Sequence, residues 1–458
     1  MSTITTTNPA TEADIEVYNL MTEAEALRRL EACHAAFLEW RKLSHNDRSP
    51  YLIKIARKLR DNADELAALM TEETGKLLKD GLTEVEICAA IFDYTAKNGP
   101  AVLADEDRTH GADGKRGVVS YQPLGVIYSI QPWNFPLYQP VRVLAANLMT
   151  GNGCILKHAS ICTGSGLRLR ELCIEAGLPE DLFQVILIDH DVSDNLIGHP
   201  LVRGVTLTGS DGAGRHVGAV AAKALKKTVL ELGSNDAYLV LEDADIETAV
   251  KSSTMGRLYN NGQTCVSAKR FIVTDKVYSA FVDAFVAKMK EITMGDPTDE
   301  TTELGPLSSQ DQFDTVKEQV DQSVAKGATI LCGGKAPDRK GAYYPATVLA
   351  ELKPGMPAYD DEIFGPVASV IRAKDDEDAM RLANESRYGL GGGIFSQNEE
   401  RALTLAREHF DTGMIRINSF GAADPNMPFG GVKDSGYGRE HGGFGMKEFV
   451  NTKAIFLP

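Results

Sequence analysis

Val126-Ile127-Tyr128-Ser129-Ile130 and, some twenty residues on, Gly153-Cys154-Ile155-Leu156-Lys157 are short, apolar and rich in branched side chains. Runs of this length and composition read as buried strands. Segments 182–188, 202–207 and 228–231 repeat the pattern, and 162–177 and 214–226 between them read as helices. Strand and helix in alternation imply parallel βαβ units with helices on both faces of a sheet. The fold class is therefore α/β.

Upstream, Thr22-Glu23-Ala24-Glu25 has the form of a capping box, and Leu27, Leu30, Cys33, Phe37 and Trp40 follow on one helical face. Segments 47–74 and 83–97 read as further helices. At Arg116 the period changes, and 117–125 alternates as a strand and turn. Downstream, a second run of alternation starts at Ala237-Tyr238-Leu239-Val240-Leu241. It includes a long helix over 276–294 and glycine-rich breaks at Gly333-Gly334 and Gly389-Leu390-Gly391-Gly392-Gly393. Segment 449–458 reads as an edge strand, which is normally covered or paired with another chain.

The chain has 458 residues, 43% hydrophobic and 24% charged, enough for two or three domains around sizeable cores. No apolar run reaches the length of a membrane span, and the polar start lacks the form of a signal peptide, so a cytoplasmic protein is expected. A net charge of −16 argues against nucleic acid and anionic membranes as partners. Seven scattered cysteines without a Cys-x-x-Cys pair form no disulfide framework, and nine histidines without ligand spacing imply no metal.

Three stretches carry chemistry. Asn260-Asn261-Gly262-Gln263-Thr264-Cys265 presents a thiol in a polar turn followed by helix-forming residues, a context that suits a thiolate near a helix start. Glu231 ends an apolar strand, where ligands bind in open α/β sheets. Asn134 stands in Pro132-Trp133-Asn134-Phe135-Pro136, between aromatics and rigid prolines. Taken alone, Glu231 reads as a solvated strand-end charge and Asn134 as a loop residue. Together a thiol, a carboxylate and an amide are what aldehyde oxidation through a covalent thioester needs. Gly209-Ser210-Asp211-Gly212-Ala213-Gly214 follows a strand and opens a helix, like a phosphate-binding turn.

These stretches, with Glu362-Ile363-Phe364-Gly365-Pro366-Val367 and Pro428-Phe429-Gly430-Gly431-Val432-Lys433, resemble the aldehyde dehydrogenase superfamily in kind and in order along essentially the whole chain. The resemblance implies a Rossmann-type cofactor domain (1–110 and 126–231), an α/β catalytic domain (232–425) and a small β oligomerisation element (111–125 and 442–458) serving a homodimer or homotetramer. It makes Cys265 the nucleophile, Asn134 with the Cys265 N–H the oxyanion hole, and Glu231 the base for thioester hydrolysis. Trp133, Lys157, Ser160, Gly209, Ser210, Glu362 and Phe364 become cofactor-binding residues. Lys157 would meet the adenosine ribose, Ser210 the pyrophosphate and Glu362 the nicotinamide ribose. One departure is Ser234, where the family usually has a second glycine after Glu-Leu-Gly.

Leu156-Lys157-His158-Ala159-Ser160 and the compact termini are most similar to the short bacterial succinate-semialdehyde dehydrogenases. There an arginine at the position of Arg142 binds the substrate carboxylate. Tyr259 stands where some of them place a second arginine, and Asp424 where a serine often assists. The expected substrate is a small aldehyde carrying a carboxylate, first succinate semialdehyde. Glutarate semialdehyde, lactaldehyde or a general aliphatic aldehyde are the alternatives, and a non-catalytic scaffold is the rival from another class. A CoA-acylating enzyme typically lacks the hydrolytic glutamate. Many NAD-preferring members carry a glutamate three residues after the ribose lysine. Ser160 is neutral there, so NADP is expected over NAD.

Overall fold

The computed structural model describes residues 2–458. Its first large sheet has six strands in the order Gly436–Tyr437, Lys227–Glu231, Val202–Thr208, Val126–Gln131, Gly153–His158, Phe183–Val185. All pairings are parallel except that of Gly436–Tyr437. Chain order runs outward from Val126–Gln131 in both directions, so the strand order reverses between Val126–Gln131 and Val202–Thr208. The crevice beyond the carboxyl ends at such a reversal is where open α/β sheets bind ligands. The segments that leave those two ends are Pro132-Trp133-Asn134 and Gly209-Ser210.

The second sheet has seven strands, Thr329–Cys332, Thr347–Ala350, Val367–Ala373, Arg270–Thr274, Ala237–Val240, Gly392–Phe395 and Arg416–Ile417, parallel except for the first pair. Its central strands are buried on both faces. Leu239 and Ile272 pack into one core, and Tyr238, Val240 and Phe271 into another. The residues just before three of its strands are Ser234, Cys265 and Phe364. The amino edge of this sheet thus supplies one wall of the crevice and the carboxyl edge of the first sheet the other.

The capping box at Thr22 is formed, and its helix, Glu23–Trp40, buries Leu30, Cys33, Phe37 and Trp40. Segment 47–74 is two helices, His45–Asp61 and Ala63–Thr74. The next helix runs longer than its apolar stripe, Leu78–Val102. Strand Phe183–Val185 is shorter than the apolar run around it. An N-terminal hairpin pairs the threonine-rich Thr3–Thr7 with Asp14–Asn19 and was not anticipated.

The expected break at Gly389–Gly393 is confined to Leu390 and Gly391. Tyr388–Gly389 and Gly392–Phe395 are strands, the second inside the large sheet. The glycines serve close packing. A Cβ on Gly393 would lie 2.3 Å from the Tyr238 ring, and one on Gly392 2.6 Å from Phe410. A third sheet joins Val450–Phe456, Lys115–Pro123 and Glu106–His110, all antiparallel. Val450–Phe456 lies at its edge, with Phe456 70% exposed. No helix among the described residues is long and apolar enough to cross a membrane.

Candidate active site

The chain reaches Cys265 through a tightly held loop. Helix Ile246–Leu258 ends, and Asn260 and Asn261 take positive φ angles of 54° and 56°. Asparagine tolerates that conformation better than most residues. Gly262 follows at φ 76°, and a Cβ there would sit 2.4 Å from the Gly365 carbonyl. Side chains then pin the loop to three elements. Asn260 Nδ2 donates to the Asn134 carbonyl (2.7 Å), and Asn261 Nδ2 to those of Gly75 and Pro306 (3.1 and 3.0 Å). Gln263 Oε1 accepts from Ser308 N (3.0 Å).

The expected helix start at Cys265 is a correction. The residue lies in a turn that feeds strand Arg270–Thr274 and does not start a helix. Burial pushes the thiol up to about 12. The charges of Arg142 and Lys269 pull it down, and those of Glu362 and Glu231 push it up. These two cations, and not a helix terminus, favour a thiolate.

Asn134 is buried with its amide oriented. Gln139 Nε2 donates to Oδ1 (3.1 Å), which turns Nδ2 toward the cysteine loop, where it donates to the Gln263 carbonyl (3.1 Å). A cavity of about 250 Å³ opens here, bounded by Trp133, Asn134, Gly209, Ser210, Cys265, Glu362 and Phe364 among others. The Trp133 and Phe364 rings meet edge-on, 5.6 Å apart. Ser210 caps helix Asp211–Lys223, its Oγ accepting from Ala213 N (3.2 Å). That helix presents its N-terminus to the cavity, the arrangement that favours a phosphate. Aromatic walls, a helix N-terminus and the Glu362 carboxylate together fit a dinucleotide.

Lys157 and Ser160 lie outside this cavity, at and just beyond the end of strand Gly153–His158. Ser160 is exposed, and burial lowers the Lys157 pKa. Glu231 also lies outside its lining. It is buried, and neither carboxylate oxygen has a hydrogen-bond partner among the described residues. Burial and the neighbouring charge of Glu440 hold its pKa well above the ordinary carboxylate range, while Arg142 and Arg439 oppose them.

Arg142 is not the free cation expected of a carboxylate receptor. Its side chain is wholly buried, with Nε 2.5 Å from Glu440 Oε2 and Nη2 donating to Thr208 Oγ1 (2.8 Å). The guanidinium packs over the Phe429 and Tyr138 rings, and Nη1 is buried with no hydrogen bond among the described residues. The Tyr259 ring lies between those of Phe135 and Phe420, tilted to both, and Asp424 is exposed and accepts from Asn426 N (2.8 Å). Sequence reasoning gave no role to Gln139, Lys269 or Glu440, and it read Asn260 as part of the turn without its side-chain tether to Asn134. Lys269 precedes an apolar strand and reads as a solvated charge, whereas Glu440 follows the Pro428–Lys433 stretch with nothing local to mark its pairing.

The aldehyde dehydrogenase family profile matches residues 1–455. The chain belongs to the aldehyde dehydrogenase family. It is 41% identical over 450 residues to a succinate-semialdehyde dehydrogenase (NADP+) of Deinococcus radiodurans, covering 98% of this chain and 94% of that one. It is 41% identical over 458 residues to one of Mycobacterium tuberculosis, covering 99% of each. Among solved structures, the succinic semialdehyde dehydrogenase of Streptococcus pyogenes in complex with NADP+ matches with a TM-score of 0.96 at 40% identity, over 99% of this chain and 100% of that one. Gox0499, studied for cofactor and substrate selection, matches with a TM-score of 0.98 at 40% identity over 100% of both chains. No cluster of histidine, cysteine or carboxylate side chains among the described residues could hold a metal ion. The chain is an NAD(P)-dependent aldehyde dehydrogenase.

Proposed function

We propose that the chain oxidises succinate semialdehyde to succinate and prefers NADP+. The observation that carries the substrate is Arg142 Nη1, a buried guanidinium donor with no hydrogen bond among the described residues, on a side chain whose charge acts on Cys265. The names of the relatives point the same way.

In this reading Cys265 gives its proton to solvent, and its Sγ bonds to the aldehyde carbon as the carbonyl π bond opens onto oxygen. The new oxyanion accepts from Asn134 Nδ2 and the Cys265 N–H. Glu362, Phe364 and Trp133 would hold a nicotinamide, which would supply the hydride acceptor needed to oxidise this adduct to a thioester. Glu231 then takes a proton from water, the water oxygen bonds to the acyl carbon, and the carbon–sulfur bond breaks to release succinate and the thiolate. Ser160 and Lys157 receive the 2′-phosphate, which a glutamate at position 160 would repel. We further infer the domain division given above and a homodimer or homotetramer in the cytoplasm, formed through the three-stranded sheet.

The Arg142–Glu440 ion pair favours a second reading, a neutral aliphatic aldehyde, because a paired arginine offers less charge to a carboxylate. Steady-state kcat/KM for succinate semialdehyde, glutarate semialdehyde and butanal, each with NADP+ and NAD+, decides between them. Succinate semialdehyde with NADP+ is expected to lead, and Ser160→Glu to move preference toward NAD+. Arg142→Ala is expected to cost the semialdehyde roughly 2–5 kcal/mol more than butanal, the scale of a lost buried charge pair. Equal losses on both would leave Arg142 structural and the substrate open. A wild-type preference for NAD+ would end the cofactor reading.

A further inference from the structure

Ser234, the residue that departs from the family's usual glycine, is not a bystander. Its hydroxyl donates to the Cys265 carbonyl and accepts from Lys269 Nζ (2.9 Å). Lys269 is buried, its side chain 3% exposed. Its ammonium also donates to the carbonyls of Thr264 (3.1 Å) and Cys265 and lies 3.1 Å from Glu362 Oε1. Three N–H donors thus meet three hydrogen-bond acceptors, two carbonyls of the nucleophile loop and the Ser234 hydroxyl, with Glu362 as the ion-pair partner. A buried ammonium persists only when it is paired and hydrogen-bonded this fully.

We propose that Lys269, together with Ser234, is a positioning residue that ties the Cys265 loop and the Glu362 carboxylate to one buried charge. The inference rests on reading Cys265 as the nucleophile and Glu362 as the nicotinamide-ribose ligand. The charge has two effects. It favours ionisation of the neighbouring thiol, and it lowers the Glu362 pKa against the burial that raises it. A glycine at position 234 would remove one acceptor from the ammonium and one donor from the Cys265 carbonyl. The serine and the lysine are therefore coupled, and each is worth less without the other.

The test uses the full-length enzyme. Iodoacetamide reports on Cys265, because the other six cysteines are buried. Labelling rates are measured from about pH 6 to about pH 10 without substrate or cofactor, a range that brackets the ordinary thiol pKa. NADP+ affinity is read from the fluorescence of Trp133, which lines the cavity. Lys269→Met is expected to move the labelling profile to higher pH, slowing it about tenfold at neutral pH, the effect of one pKa unit. It should also weaken NADP+ binding. Ser234→Ala should do both about threefold, the loss of one ordinary hydrogen bond. The double variant should lose no more than Lys269→Met alone.

Wild-type profiles and affinity in Ser234→Ala and Lys269→Met overturn the proposal. If Lys269→Met does not fold, Ser234→Ala and Lys269→Arg decide it, and wild-type behaviour in both overturns it. Cys265→Ala separates the two inferences. Turnover retained in Cys265→Ala would remove the nucleophile itself. Turnover lost there, beside an unaffected Lys269→Met, would sink only the role of Lys269.

Discussion

Glu231 shows how much a residue's surroundings decide its chemistry. A carboxylate at a strand end is ordinarily solvated and ionised, yet here it is buried without a hydrogen-bond partner among the described residues, beside a second carboxylate. A base must be ionised to take a proton from water. Turnover limited by hydrolysis should therefore rise with pH as Glu231 ionises. Glu440→Gln removes the negative charge that raises the Glu231 pKa and leaves Arg142, which lowers it, unneutralised. Both changes favour the ionised form, so the acid limb of the kcat profile should move to lower pH. An acid limb that stays in place would show that Glu231 is not the titrating group. Glu231→Gln should keep a single burst of reduced cofactor while steady turnover stalls, and Cys265→Ala should lose both. Undiminished steady turnover in Glu231→Gln would remove it as the hydrolytic base.

At the scale of elements, the oxyanion loop is held by a pair that lies behind it. Helix Tyr138–Thr150 has no side-chain cap of its own. Glu84, on helix Leu78–Val102, supplies one, its Oε1 accepting from Leu137 N and Tyr138 N (2.8 and 2.9 Å). Lys76 neutralises that carboxylate at 2.7 Å and lies over the Phe135 ring, 3.9 Å from its centroid. Both side chains are fully buried, so removing one leaves an uncompensated charge. Lys76→Met is expected to lower stability by about 3–5 kcal/mol. It should also slow the chemical step, because Phe135 adjoins Asn134. Urea denaturation and single-turnover rates measure the two effects. A shift in urea midpoint without a change in rate would make the pair purely structural. The capping boxes at Thr22 and Ser44 were legible as local patterns, and the first of them was read as such. The Lys76–Glu84 pair was not legible, because a lysine and a glutamate eight residues apart carry no signal of burial.

For the whole molecule, the three-stranded sheet is the part that the rest of the chain does not enclose. Strand Val450–Phe456 pairs on one side with Lys115–Pro123 and leaves its other edge open, with Ile455 41% exposed. An open apolar edge of this kind normally finds a partner. Phe456→Lys is expected to shift the protein to smaller species in analytical ultracentrifugation, with kcat/KM of the remaining assembly unchanged. Unaltered sedimentation would place the subunit contact elsewhere. The sheet itself could be anticipated from the alternation after Arg116. Its third strand, Glu106–His110, could not, because its residues are all polar or charged and show no period-two pattern.

Read alone, the chain determined its α/β class, the turn chemistry of Asn260–Gly262 and the residue types able to carry out the reaction. These are local properties, written in hydrophobic period, backbone preference and functional group. Tertiary structure decided which of them meet, and in what state of charge. Cys265 and Glu231 lie between two sheets whose edges only folding opposes. The thiol is governed by Arg142 and Lys269, Glu231 by Glu440, and Arg142 by its pairing with that same glutamate. Burial and Coulomb interaction depend on distance in space, and Glu231 and Glu440 are joined by packing and not by position along the chain.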